Sequence, residues 1–299
     1  MPPITDFAAL LSKAQASGQR PRAALFEPDD TASLTAFLKA SADGLIEPLL
    51  IGDPAQLKKA IGNDLGPMKI EPASHPGEAI EVTMRLISDG AIDMLVQGGR
   101  GSSRMLLDIL KSDSGFAASG LLSHVGVIKA ARYPRLLFVT DGLVHDEPDL
   151  KTKMALTANL IRVCNALGVM EPRTAVVTAV EAIYPQMAAT LDGAVLAKMS
   201  ERGQIKGLKI DGPLSFDIAI DPEAAAAKGI KNSEVAGHAD AMIASSRQVA
   251  AGIYQALSLF AEAELGGVLV GGKIPVATAF RTDSVTTRYH SIALSALLA

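Results

Sequence analysis

Hydrophobic positions in this chain switch repeatedly between two periods. Phe7, Leu10, Leu11 and Ala14 recur at helical spacing behind Asp6, a suitable N-cap. Residues 22–26 then form a short apolar run of the kind that builds a buried strand. The same exchange continues to the end of the chain. It predicts strands at 22–26, 45–51, 68–72, 94–97, 125–131, 136–140, 174–177, 208–211, 241–244, 268–270 and 276–279. It predicts helices at 30–42, 54–61, 77–88, 102–111, 150–167, 186–201, 249–263 and 284–298, with a helix or turn at 222–228. Strands that alternate with helices of this length indicate a mostly parallel α/β sheet. About ten strands are too many for one small sheet, so two lobes are expected. The stretch Asp141-Gly-Leu-Val-His-Asp-Glu-Pro148 reads as the crossing between them.

Composition narrows the field. The 299 residues hold 28 basic and 32 acidic side chains, a net charge of −4, with both signs interspersed. That balance leaves no electrostatic footprint for nucleic acid or an anionic membrane surface. Tryptophan is absent and aromatic residues make up 4%, which disfavours a stacking platform for bases. The single cysteine, Cys164, falls on the apolar face of a predicted helix and reads as core. No disulfide framework can form, which fits a reducing compartment. The residues from Met1 to Asp6 lack a basic segment followed by an apolar one, and no run of about 18 apolar residues occurs. A cytoplasmic protein is expected.

Candidate chemistry concentrates in two loops. Gly98-Gly-Arg-Gly-Ser-Ser-Arg104 follows a strand and opens a helix, so Arg100 and Ser102 are candidate contacts for a phosphate or carboxylate. As a dinucleotide fingerprint it is defective, because Arg104 replaces the third glycine. Phe280-Arg281-Thr-Asp-Ser-Val-Thr-Thr-Arg288 is the densest polar cluster, again between a strand and a helix. Arg281, Thr282 and Ser284 combine a guanidinium, hydroxyls and a helix N-terminus, which suits an oxyanion. Asp283 is either part of that site or the N-cap of the helix. Gly267–Lys273 approaches a P-loop, but Ile274 stands where a magnesium-binding hydroxyl is needed. The interior of that stretch also reads as a strand. None of the five histidines has zinc-site spacing. Among them His124, at a strand entry beside Ser123, is either a substrate contact or structural.

Taken in order, several stretches resemble the phosphate acetyl/butyryltransferase family. They are Ser123-His-Val-Gly-Val127, Arg135-Leu-Leu-Phe-Val-Thr-Asp141, Ala179–Met187 and Thr190-Leu-Asp-Gly-Ala194. Arg202-Gly-Gln-Ile-Lys-Gly207 leads into Asp211-Gly-Pro-Leu-Ser-Phe-Asp217, followed by Lys228-Gly-Ile230, Ala236-Gly-His-Ala-Asp240 and Arg281-Thr-Asp-Ser284. The butyryl-type branch looks closer. The resemblance implies two three-layer α/β/α lobes with a cleft between them, as in isocitrate/isopropylmalate dehydrogenases. Residues 1–140 plus 277–299 would form the first lobe and residues 141–276 the second. It implies transfer of an acyl group between CoA and inorganic phosphate in a ternary complex, by a cytoplasmic homodimer with coenzyme A as substrate and no cofactor. It implies catalytic roles for Arg281, Asp283 and Ser284. Substrate contacts would come from Arg100, Ser102, Ser123, His124, Thr282, Gly212 and Pro213. The family usually has serine where Phe280 stands and asparagine near Ala251, so the alternative expectation is a catalytically impaired relative that binds CoA or acyl phosphate.

Overall fold

Continuous apolar runs, not alternating ones, occupy the centre of each sheet, as burial on both faces requires. The computed structural model describes residues 2–28, 30–61, 68–98, 108, 110, 115–117 and 121–299. Contacts divide the chain into two compact units, Phe7–Leu122 with Leu265–Ala299, and Met1–Asp6 with Ser123–Glu264.

The first unit begins with helix α1 (Phe7–Ala16) and strand β1 (Arg22–Phe26). Then come α2 (Thr31–Ala42), β2 (Glu47–Gly52), α3 (Pro54–Ile61), β3 (Lys69–Pro72), α4 (Pro76–Ser88) and β4 (Met94–Gln97). The chain returns later through β10 (Glu264–Val270), β11 (Val276–Thr278) and α10 (Val285–Ala296). Its strands lie in the order β3-β2-β1-β4-β11-β10. All neighbours are parallel except β10 and β11, which pair antiparallel from Gly267↔Thr278 to Leu269↔Val276. Right-handed crossovers from β1 to β2 and from β2 to β3 put α2 and α3 on one face. The return from β3 to β4 runs the other way and puts α4 on the opposite face. Helix α10 packs against α1, α2 and β11, and every residue from Thr287 to Ala296 is buried. Its polar side chains are used internally: Ser291 Oγ accepts from Gly267 N at 2.9 Å, and the His290 ring stacks on Phe7 at 4.1 Å.

The second unit holds β5 (Ser123–Lys129), β6 (Leu137–Thr140), α5 (Leu150–Ala166), β7 (Arg173–Val177) and α6 (Ala188–Glu201). It continues with β8 (Lys209–Leu214), α7 (Phe216–Ile220), α8 (Pro222–Ala227), β9 (Ala241–Ala244) and α9 (Arg247–Phe260). The strand order is β5-β6-β9-β7-β8, with only the β5–β6 hairpin antiparallel. Crossovers through α5 and α6 advance in one direction and share a face, and the return through α7 and α8 lies on the other. Asp240 pins the amino ends of three strands. It accepts from Arg135 on the approach to β6 at 2.9 Å, and from the backbone and Nε of Arg173 on β7 at 3.0 Å each. Burial raises the Asp240 carboxyl, but those arginines outweigh it and hold the group below the usual carboxylate range.

The predicted alternation is present among the described residues, with local differences that have physical causes, and the helix predicted at 102–111 lies almost wholly outside them. β10 starts at Glu264, ahead of the predicted 268, because Gly267 already pairs with Thr278. That strand also accounts for the near-P-loop. α9 starts at Arg247, since the Ser246 hydroxyl caps it by accepting from Val249 N at 3.3 Å. The short helix α7 has too few residues to show a period. Hairpin β5–β6 sits with the second unit because β6 pairs with β9, so the exchanges fall at 122/123 and 264/265.

Candidate active site

Within the first unit, β4 and β11 are parallel neighbours, and both end at the same edge of the sheet. Carboxyl ends of parallel strands are where open α/β sheets receive ligands. The chain leaving β11 turns at once into α10. Asp283 closes that turn: its N–H donates to Phe280 O at 3.0 Å and its Oδ2 accepts from Phe280 N at 2.8 Å. Ser284 is the N-cap, with Oγ accepting from Thr287 N at 3.1 Å. The cap is therefore Ser284 and not Asp283, because Asp283 is spent on the preceding turn. Arg281 and Thr282 are exposed, and the Arg281 guanidinium has no ion-pair partner among the described residues. The free N–H groups of the first helical turn and the helix dipole add positive potential at the same place.

A second arginine lies beneath. Arg288, 5% exposed, donates from one terminal nitrogen to the carbonyls of Phe280 and Arg281 at 3.3 Å each. The other terminal nitrogen donates to Ser33 Oγ, in the first turn of α2, at 2.9 Å. Sequence reasoning quoted Arg288 as the end of a polar cluster and gave it no task. Its spacing, seven residues from Arg281, was the available signal.

The loop after β4 carries Arg100 and Ser102, which lie outside the described residues. Gly98, at its start, is described. A Cβ there would sit 2.6 Å from Glu27 O and 2.7 Å from Phe26 O, so close packing on the end of β1 demands glycine.

In the second unit, Ser123 and His124 begin β5, beside the carboxyl end of β6. Ser123 is buried and its hydroxyl accepts from Asn159 Nδ2 at 2.7 Å. His124 is 3% exposed, its ring edge-on to Tyr254 at 6.3 Å. Burial pushes its imidazole down to about 3, so the ring is neutral at physiological pH. Asp141, at the end of β6, accepts N–H bonds from His124, Leu143, Val144 and His145 at 2.9–3.3 Å. His145 Nε2 stands 3.9 Å from its carboxylate. Burial pushes the Asp141 carboxyl up, against those N–H bonds and His145. The sequence places Asp141 in a family stretch and both residues in the lobe crossing, and gives neither a chemical task. Gly212 and Pro213 lie in β8 of this unit, and Cys164 is buried in α5.

Residues 75–296 match the model of the phosphate acetyl/butaryl transferase family. The phosphate butyryltransferase of Clostridium acetobutylicum is 35% identical over 299 residues, 99% of each chain. The chain belongs to this phosphate acyltransferase family. The phosphate butyryltransferase of Clostridium beijerinckii is 38% identical over 273 residues, 90% of each chain, which supports the butyryl-type branch. In fold, a branched-chain phosphotransacylase from Enterococcus faecalis V583 superposes with a TM-score of 0.79 at 23% identity, over 93% of this chain and 98% of that one. None of these findings favours the impaired relative that Phe280 suggested.

Two of the stretches that carried the family resemblance meet in the second unit. A Cβ on Gly193, in α6, would lie 3.0 Å from Pro213 N, and one on Gly212 would lie 2.8 Å from Val176 Cβ. The Asp211 carboxylate accepts from Ser233 Oγ and from Gly212 N, the latter at 2.8 Å. In this acyltransferase, then, Gly212 and Pro213 bring α6 close against β8 and β7.

Proposed function

We propose that the Phe280–Ser284 turn holds inorganic phosphate while the chain transfers an acyl group between coenzyme A and phosphate, the reaction of its family. The observation that carries this reading is the exposed Arg281, without an ion-pair partner among the described residues, at the capped N-terminus of α10. A phosphate oxygen attacks the thioester carbonyl and gives a tetrahedral oxyanion. Collapse expels the CoA thiolate, which takes up a proton, and leaves the acyl phosphate. Phosphate, oxyanion and thiolate are all negative, so a guanidinium and a helix N-terminus are the groups that lower their mutual repulsion. Orientation of two bound substrates supplies much of the remaining acceleration. Arg281 and Thr282 would contact phosphate directly. Ser284 and Asp283 shape the turn, and Arg100 and Ser102 remain the sequence's candidates for further contacts to the anion.

Coenzyme A is a substrate in this reading, and positive side chains do the work that a metal would otherwise do. The relatives named butyryltransferases favour a short acyl group of about that size. Release of CoA from acetyl-CoA and butyryl-CoA, followed with a thiol reagent, tests the proposal. Release should require phosphate and be faster with butyryl-CoA; release that ignores phosphate would refute it.

The same reading makes the protein a cytoplasmic homodimer. No helix among the described residues is long and apolar enough to cross a membrane. Ile183, Tyr184, Leu191 and Val195 are exposed by 40–59% on and just before α6, an apolar surface suited to a second copy.

A further inference from the structure

We infer that Arg288 is the positioning residue of the phosphate-binding turn, acting from a polar cavity in which it holds one water molecule together with Gln97 and Thr278. The inference rests on the reading of the Phe280–Ser284 turn as the phosphate site.

Gln97 ends β4 and Thr278 ends β11, adjacent parallel strands that finish at the same edge of the sheet. Arg288 reaches this point from the first turn of α10. A half-open pocket with about 10 Å³ of space for a water lies among the three side chains, with Ser33 and Ser291 also on its wall. Gln97 Oε1, Thr278 Oγ1 and Arg288 Nε are all buried with no hydrogen-bond partner among the described residues. Thr278 is 1% exposed and Arg288 5% exposed. Buried polar atoms are rarely left in that condition, and about 10–15 Å³ is the space one water needs. The chemistry of the three atoms matches a single water. Its oxygen accepts from Arg288 Nε–H, and its two hydrogens go to Gln97 Oε1 and Thr278 Oγ1. Three bonds are the usual complement for a buried water.

With the water in place, every edge of the Arg288 guanidinium is committed. One side holds the carbonyls of Phe280 and Arg281, another holds Ser33 Oγ, and Nε is tied through water to the ends of β4 and β11. None of these hydrogen-bond partners is a carboxylate, so neutral groups hold the guanidinium beneath the turn that receives the anion. The fork thus fixes where Arg281 starts and adds to the potential it works in. A lysine would keep the charge but could not reproduce the planar set of donors.

Steady-state kinetics of CoA release on the parent, Arg281→Ala, Arg288→Lys and Thr278→Val, with melting temperatures, test this. A high-resolution crystal structure of the parent completes the test. Arg288→Lys should raise the phosphate KM about tenfold or more, the loss of one or two charge-assisted hydrogen bonds. The KM for acyl-CoA should change much less. Thr278→Val should shift phosphate KM in the same direction, by less. The crystals should show one water bonded to all three atoms. A parent-like phosphate KM in Arg288→Lys would mean that charge alone matters and would overturn the positioning role. A dry cavity, or direct bonds among the three side chains, would overturn the water site. If Arg288→Lys does not fold, an unchanged phosphate KM in Thr278→Val also overturns the inference. Should Arg281→Ala leave phosphate KM unchanged, the phosphate reading itself fails, a result distinct from a failure of Arg288 alone.

Discussion

Arg281 and Arg288 carry the same charge seven residues apart and have opposite environments. Arg281 was legible in the sequence because a polar cluster between a strand and a helix is a recognised anion setting. Arg288 was not, because charged residues are rarely buried and a sequence shows no burial. Asp283 and Ser284 were both visible as possible caps, and only the turn geometry decided between them. Ser284→Ala should therefore destabilise the protein by about 1 kcal/mol, and Ser284→Gly by a few tenths, in chemical denaturation. Asp283→Ala should leave the cap bond intact and loosen the turn, which phosphate affinity would register. His124 shows the converse, a residue whose sequence setting suggested chemistry but whose burial makes it neutral. Its native pKa of about 3 lies below the ordinary 6.5, so the unfolded chain takes up a proton that the native chain refuses. Stability should fall as pH drops from about 6.5 toward 3, by up to about 1.4 kcal/mol per unit from this residue. His124→Phe should flatten urea-derived stability between about pH 6.5 and 4.5 relative to the parent. Equal slopes in the two proteins would show that His124 is not the group responsible.

At the scale of elements, the strand–helix alternation was readable because continuous apolar runs and amphipathic runs differ in period. What could not be read was pairing. The parallel partners β4–β11 and β6–β9 join strands far apart in sequence, and the glycines at 266 and 267 hid the start of β10. The stretch from Asp211 to Asp217 was recognised as a family signature without its physical reason. That reason is close packing of α6 on β8 and β7, where Gly193 and Gly212 leave no room for a methyl group. Gly212→Ala should cost about 1–3 kcal/mol through overpacking. Gly252 offers the contrast: it lies within α9, and an added Cβ would meet nothing within 4 Å. Gly252→Ala should stabilise the protein by up to about 1 kcal/mol. Thermal melts of the two variants should move in opposite directions, and a rise for Gly212→Ala would count against this account of the signature.

At the scale of the whole molecule, two α/β units were foreseeable from the number of strands, and the family from the order of its motifs. Which surface an assembly would bury is not visible in a sequence, since single apolar residues on a helix look alike whether they meet solvent or a partner. The exposed group Ile183, Tyr184, Leu191 and Val195 should serve self-association. Sedimentation should give a dimer, and Val195→Glu should shift it toward monomer at unchanged secondary structure. A parent that sediments as a monomer at all concentrations would remove that proposal and leave the chemistry untouched. The chemistry rests on phosphate being held at the N-terminus of α10 during acyl transfer. Its most direct measurement is the phosphate dependence of CoA release from butyryl-CoA by the parent and by Arg281→Ala. The parent should saturate with phosphate, and the variant should need about ten times more phosphate or beyond, with its melting temperature essentially unchanged. Identical phosphate dependence in the two proteins would contradict the assignment.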